Sequence, residues 1–138
     1  RMVAEQAAAG YDFLKIHPGL DRARYDAIAA EARARGIAWG GHVPDAVGLA
    51  RVLELGQATV DHLDGYPGLL VRHGAALPAA PGFFGFGLTE LLDERRIPEA
   101  VRRTRAAGVW NVPTESLIRH VLLPDPERRL DARPELAY

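Results

Sequence analysis

Ala32-Arg33-Ala34-Arg35-Gly36-Ile37-Ala38-Trp39-Gly40-Gly41-His42 decides the fold. The alanine- and arginine-rich half reads as the end of a helix, Gly36 as its stop, and residues 37–42 as a short apolar strand with an imidazole at its end. Upstream, Asp21 is placed to cap this helix, and Tyr25, Ile28, Ala29 and Ala32 share one face by the i, i+3, i+4, i+7 spacing. The same unit comes before and after it. Residues 1–9 are rich in Ala and Glu, Gly10 closes them, and residues 11–16 read as a strand that carries Lys15. Pro44-Asp45 opens a third helix with Ala46, Leu49, Ala50 and Leu53 as its stripe, Gly56 ends it, and residues 58–62 form a strand ending in His62.

Helices and strands alternating at this pitch predict an α/β fold with a parallel sheet. Lys15, His42 and His62 then stand at the same relative place in successive units, 27 and 20 residues apart. That common place is the strand-end edge where α/β proteins carry their chemistry. From Gly65 to Leu88 the rhythm stalls in a proline- and glycine-rich stretch, read as a long connection or lid. It resumes with a helix from about Pro98 through Ala107, a stop at Gly108 and a fourth strand over residues 109–113. A short helix and proline-rich turns are expected from Thr114 onward. Four such units suit either an open doubly wound sheet or half of a closed barrel, since a complete eight-unit barrel takes about 250 residues.

The 138 residues, 48% hydrophobic and 25% charged, have the composition of an ordinary globular chain. A net charge of -1, with Arg interleaved among Asp and Glu, gives no basic footprint for nucleic acid or an anionic membrane. No apolar run approaches the roughly 20 residues that span a bilayer. The chain has no cysteine, so disulfides and thiolate metal sites are excluded together. It starts inside a helical pattern and stops without a closing element, which suggests one internal segment, residues 1–138, cut at both ends from a longer polypeptide.

Lys15 is the only lysine among 17 Lys and Arg residues. A lysine can be converted to a neutral amine by burial and then react, whereas a guanidinium cannot. Reaction with carbon dioxide gives a carbamate whose two oxygens can bridge two cations. The plain alternative is a lysine that reaches solvent or pairs with Asp12 or Asp21. His42 and His62 carry the commonest neutral ligand for zinc-like ions, and each alone also suits a hydrogen-bonded structural role. Asp61 is expected to face away from His62 if strict alternation holds. Tyr66 and the Phe83–Phe86 group are candidates to line a substrate pocket, or are packing aromatics.

Three runs carry a resemblance: Ala9 through Ile16, Ala32 through Val43, and Leu53 through Leu63, with residues 107–114 after them. Together they resemble the middle of the amidohydrolase superfamily, and are most similar to its imidazolonepropionase-like and Xaa-Pro dipeptidase-like branch. The resemblance implies a partial (β/α)8 TIM-type barrel, about strands four to seven of a metal-dependent hydrolase barrel. It implies that Lys15 is the carboxylated strand-four lysine bridging two divalent ions, of zinc type, with His42 and His62 as strand-five and strand-six ligands. The implied reaction is hydrolysis of an amide-type C–N bond, in a cyclic amide or dipeptide, by a metal-bound hydroxide. No catalytic residue is assigned, because the family's strand-one His-x-His pair would precede Arg1 and its strand-eight Asp would follow Tyr138. His17, His73 and His120 match no ligand position and read as loop or surface residues, with His17 near enough to Lys15 to reach the pocket.

The expectation is therefore a hydrolase segment, inactive alone, that takes a small-molecule or dipeptide substrate. Its sheet edges need the remainder of the barrel or another copy to cover them. The rival is a non-catalytic α/β binding or interaction module. A nucleotide-binding domain ranks last, since Lys15-Ile16-His17-Pro18-Gly19 lacks the G-x-G-x-x-G spacing.

Overall fold

The computed structural model describes residues 1–117 and 119. Among them the helices are α1 (Met2–Ala8), α2 (Arg22–Arg35), α3 (Leu49–Leu55), α4 (Tyr66–Leu70), α5 (Ile97–Ala106) and α6 (Glu115–Leu117). The strands are β1 (Phe13–Ile16), β2 (Ala38–Gly41), β3 (Thr59–Asp61) and β4 (Trp110–Val112). They form one parallel sheet, as the alternating pattern predicts, and its strands lie in the order β1-β2-β3-β4.

Each helix stop in this part of the chain is a physical consequence of its glycine. Gly36 ends α2 at φ 67° and Gly56 ends α3 at φ 70°, a left-handed turn that lets the next residues enter a strand. Asp21 caps α2 by accepting from the Arg24 amide at 2.7 Å, as its position in the sequence predicts. The third helix differs from expectation. It begins at Leu49 rather than at Pro44-Asp45, because the amides of Val47 and Gly48 close a turn on the Pro44 carbonyl and Gly48 takes φ 75°. The buried stripe is accordingly Leu49, Val52 and Leu53, and Ala46 and Ala50 are exposed.

One cluster forms the core. Leu14 and Ile16 of β1, Trp39 of β2 and Val60 of β3 meet Tyr25, Ala29 and Ala32 of α2 and Leu49, Val52 and Leu53 of α3. The alternate strand positions look the other way. Phe13, Gly40 and Thr59 crowd together on that second face: a Cβ on Gly40 would lie 2.6 Å from Phe13 Cζ and 2.3 Å from Thr59 Oγ1. Phe13, Trp110 and Val112 are exposed there. Among the described residues the helices that build the core thus cover one face of the sheet only.

The stretch after β3 is an organised connection. It holds α4, an antiparallel bridge between Val71 and Leu92, and 3₁₀ turns over Phe83–Leu91 that kink at Phe84 and Gly85. Then α5 leads through Gly108 to β4, which pairs Thr59 with Trp110 and Asp61 with Val112. No helix among the described residues is long and apolar enough to cross a membrane. The proline-rich turns expected near the C-terminus, and His120, lie outside the described residues.

Candidate functional site at the strand ends

The parallel order brings the ends of β1, β2 and β3 side by side. His42 follows β2, and its amide donates back to the Ile16 carbonyl of β1 at 3.1 Å. His62 follows β3 and donates from its amide to the Val112 carbonyl of β4 at 2.9 Å. The two rings lie 4.9 Å apart between centroids, and the His17 ring stands 5.7 Å from that of His42. On the other side the Phe84 ring is 5.3 Å from His62. His17 is exposed, as is His73, which is remote from this row in the turn after α4.

Hydrogen bonding fixes the tautomers of both half-buried imidazoles. Asp64 Oδ2 lies 2.8 Å from His42 Nδ1, and the Val43 amide also donates to it. A carboxylate only accepts, so in neutral His42 the proton sits on Nδ1. His62 Nδ1 meets Thr114 Oγ1, whose hydroxyl donates to the Pro113 carbonyl at 2.7 Å. The hydroxyl hydrogen being committed, His62 also donates from Nδ1. Each Nε2 is then the lone-pair nitrogen. Orientation of the ring through Nδ1 by a carboxylate recurs in metal-ligating histidines, and His42 with Asp64 has that arrangement.

Lys15 is placed differently from the sequence reading. Its ammonium donates to Asp61 Oδ2 across the sheet, and neither Asp12 nor Asp21 is its partner. Asp61 therefore shares the Lys15 face, contrary to the expected opposition. Strict alternation ends at His62, whose φ of 57° and the 58° of Leu63 turn the backbone out of the strand. Asp61 keeps the strand parity, and the left-handed turn aims the His62 ring at His42. Among the described residues no group of three or more His, Asp or Glu side chains is arranged to hold a metal ion.

Backbone strain gathers here. Of the four non-glycine residues with positive φ among the described residues, His62, Leu63 and Thr114 belong to this site and its support, and Phe84 lies against it. Such conformations cost on the order of 1–3 kcal/mol each and persist where surrounding contacts enforce them. A cavity of about 730 Å³ opens beside His42, walled by His42, Asp64, Leu49, Phe84 and Leu88. Among the described residues no lysine or arginine lines it. Tyr66 is elsewhere: its hydroxyl bonds Thr104 of α5 at 2.7 Å, and it lines a separate groove along β4.

Sequence reasoning missed Asp64, Thr114 and Gln57. Asp64 and Thr114 lie beyond the strands, where strand parity says nothing, although they follow the strand ends by three and two residues. Gln57 is fully buried. It accepts from the Tyr25 hydroxyl at 2.8 Å, and Trp39 Nε1 donates to that hydroxyl at 3.4 Å. Burial raises the Tyr25 phenol above its ordinary value, so it stays protonated as a donor.

Among solved structures, bottromycin amidohydrolase is similar to this chain. The likeness has a TM-score of 0.54 at 28% identity and covers 86% of this chain and 23% of that protein. The chain thus spans about a quarter of the length of the amidohydrolase it matches. No protein-family model matches it. No curated protein matches it either.

Proposed function

We propose that the chain is an internal segment of a metal-dependent amidohydrolase, contributing about strands four to seven of a (β/α)8 barrel. The observation that carries this reading is the pair of imidazoles 4.9 Å apart, each with Nδ1 engaged in a hydrogen bond. The amidohydrolase likeness and the one-sided helix layer support it, since a barrel places its helices outside and its active site at the strand ends.

In this proposal His42, His62 and Lys15, the last after carboxylation, would hold divalent, zinc-type cations. Bound there, a divalent cation would lower the pKa of water and polarise a substrate carbonyl. The chain's own residues supply orientation. Asp64 fixes the His42 ring, Thr114 fixes the His62 ring, and the cavity wall of Leu49, Phe84 and Leu88 excludes water around the group flanking the scissile C–N bond. The substrate class is a small amide, cyclic amide or dipeptide, and Tyr66 serves the fold before it serves the substrate. The uncovered sheet face and edges are closed by the remainder of the barrel or by a second copy, and the segment alone does not turn over.

The rival reading, a binding module without catalysis, is favoured by one observation: Lys15 is held by Asp61 as an ion pair. Metal analysis of the intact polypeptide that carries these residues decides between them. The hydrolase reading expects near-stoichiometric zinc-type metal that Lys15→Ala and His42→Ala remove together with amide hydrolysis. Full metal content and activity in Lys15→Ala would refute the assignment.

A further inference from the structure

The end of β2 is held in an unusual way. Its pairing with β3 reduces to Gly41 opposite Val60, and Gly41 takes φ 120°, where a Cβ would meet the Ile16 carbonyl oxygen at 2.6 Å. The strand is therefore kinked at the residue before His42. At this point the buried carboxamide of Gln57 reaches the backbone carbonyls from the core side. Its Nε2 donates to the carbonyls of Thr59 at 2.8 Å, Gly41 at 3.2 Å and His42 at 3.4 Å, and its Oε1 is fixed by Tyr25.

We infer that Gln57 is a positioning residue for the strand-end site, setting the direction of the His42 imidazole through the Gly41 and His42 carbonyls. His42 is then held at its amide by β1, at its carbonyl by Gln57 and at Nδ1 by Asp64. Only the last of these restraints touches the ring. The other two decide where the ring starts from, and the Gln57 carboxamide reaches from the core to the candidate ligand across a single residue. Gln57 touches no reacting atom, since it lies in the core beneath the sheet with Tyr25 and Trp39. The inference rests on the hydrolase reading only in naming what the imidazole serves.

The test compares Gln57→Met with Val52→Ala in the intact polypeptide. Gln57→Met keeps the length and removes every hydrogen bond of the carboxamide. Val52→Ala damages the same core at a fully buried apolar side chain of α3 that makes no hydrogen bond to the strand end. The His42 imidazole C–H signals in an NMR spectrum report the ring's surroundings with or without metal, and Zn²⁺ titration reports its use as a ligand. Gln57→Met should move the His42 signals and weaken Zn²⁺ binding by about 10-fold or more, the usual effect of losing support behind a ligand. Val52→Ala, at an equal or larger loss of Tm, should leave the signals in place and the affinity within about 2-fold.

The inference is overturned if Gln57→Met leaves His42 where it was, or if Val52→Ala moves it as far. Should Gln57→Met not fold, Gln57→Asn withdraws the same amide by one methylene and is judged on the same signals. A wild-type protein that takes no Zn²⁺ would sink the hydrolase reading, while the His42 signals would still decide the role of Gln57.

Discussion

Residues 1–62 and residues 63–117 are built on different terms. All of the main core cluster except Val109 falls between Val3 and Val60, where each strand is backed by its own helix. In the second region several apolar side chains are left outside: Trp110 is 78% exposed, and Ile97, Val101 and Val112 are also exposed. Trp110, Ile97 and Val101 border a groove of about 570 Å³ along β4 with Leu70 and Ala100. The difference teaches that helix coverage, and not position in the sheet, sets the contrast: among the described residues β1 and β4 are both edge strands, and only β1 places side chains in the main core cluster.

The largest effect expected from this contrast is on stability. Leu49→Ala, in a side chain only 3% exposed, should cost about 2–5 kcal/mol in urea unfolding. Trp110→Ser removes a larger side chain and should cost within about 0.5 kcal/mol, because little is packed on it. Equal losses would mean that the two regions are not differently built. A smaller loss is expected on the second face of the sheet. Gly40→Ala would press a methyl against Thr59 Oγ1, the Thr59 amide nitrogen and Phe13 Cζ, and should cost about 1–3 kcal/mol. A Phe13→Ala background should recover part of that loss, since it frees one of the three contacts; no recovery would show that the backbone at Thr59 alone sets the limit.

The same contrast governs how much was legible in the sequence. In the first region local signals and tertiary packing agree, so the Asp21 cap, the Tyr25–Ala32 stripe, the Gly36 and Gly56 stops and the parallel order could be read from spacing. The α3 start could not, because Pro44-Asp45 is a good helix opening whose turn is closed instead by Gly48. Lys15, His42 and His62 were recognisable by residue type and by recurrence at strand ends. What they touch was not. Asp61 as the partner of Lys15 depends on where β3 stops, and that point is set by left-handed backbone at His62 and Leu63, which no side-chain pattern announces. Gln57 was invisible for another reason: one buried polar residue after a helix-stop glycine looks like an ordinary turn residue until Tyr25 and three carbonyls converge on it.

Ion pairs sharpen the comparison with the smallest expected effect. In the first region Arg51 of α3 reaches across to Asp26 of α2, at 3.0 Å through both guanidinium nitrogens. In the second region the pairs are local, Arg95 with Asp93 and Arg102 with Glu99. All three carboxyls are held below their ordinary values, each chiefly by its arginine hydrogen bond. A carboxyl depressed in the folded state adds stability that is present above its unfolded value and is lost as pH falls through the folded one. A local pair forms partly in the unfolded chain as well, so less of its depression counts toward folding, whereas the Arg51–Asp26 pair needs both helices docked. Arg51→Met should therefore flatten the fall of Tm between about pH 5 and about pH 3 more than Arg102→Met does. Equal flattening would show that the α2–α3 contact holds Asp26 no more firmly than a single turn of α5 holds Glu99.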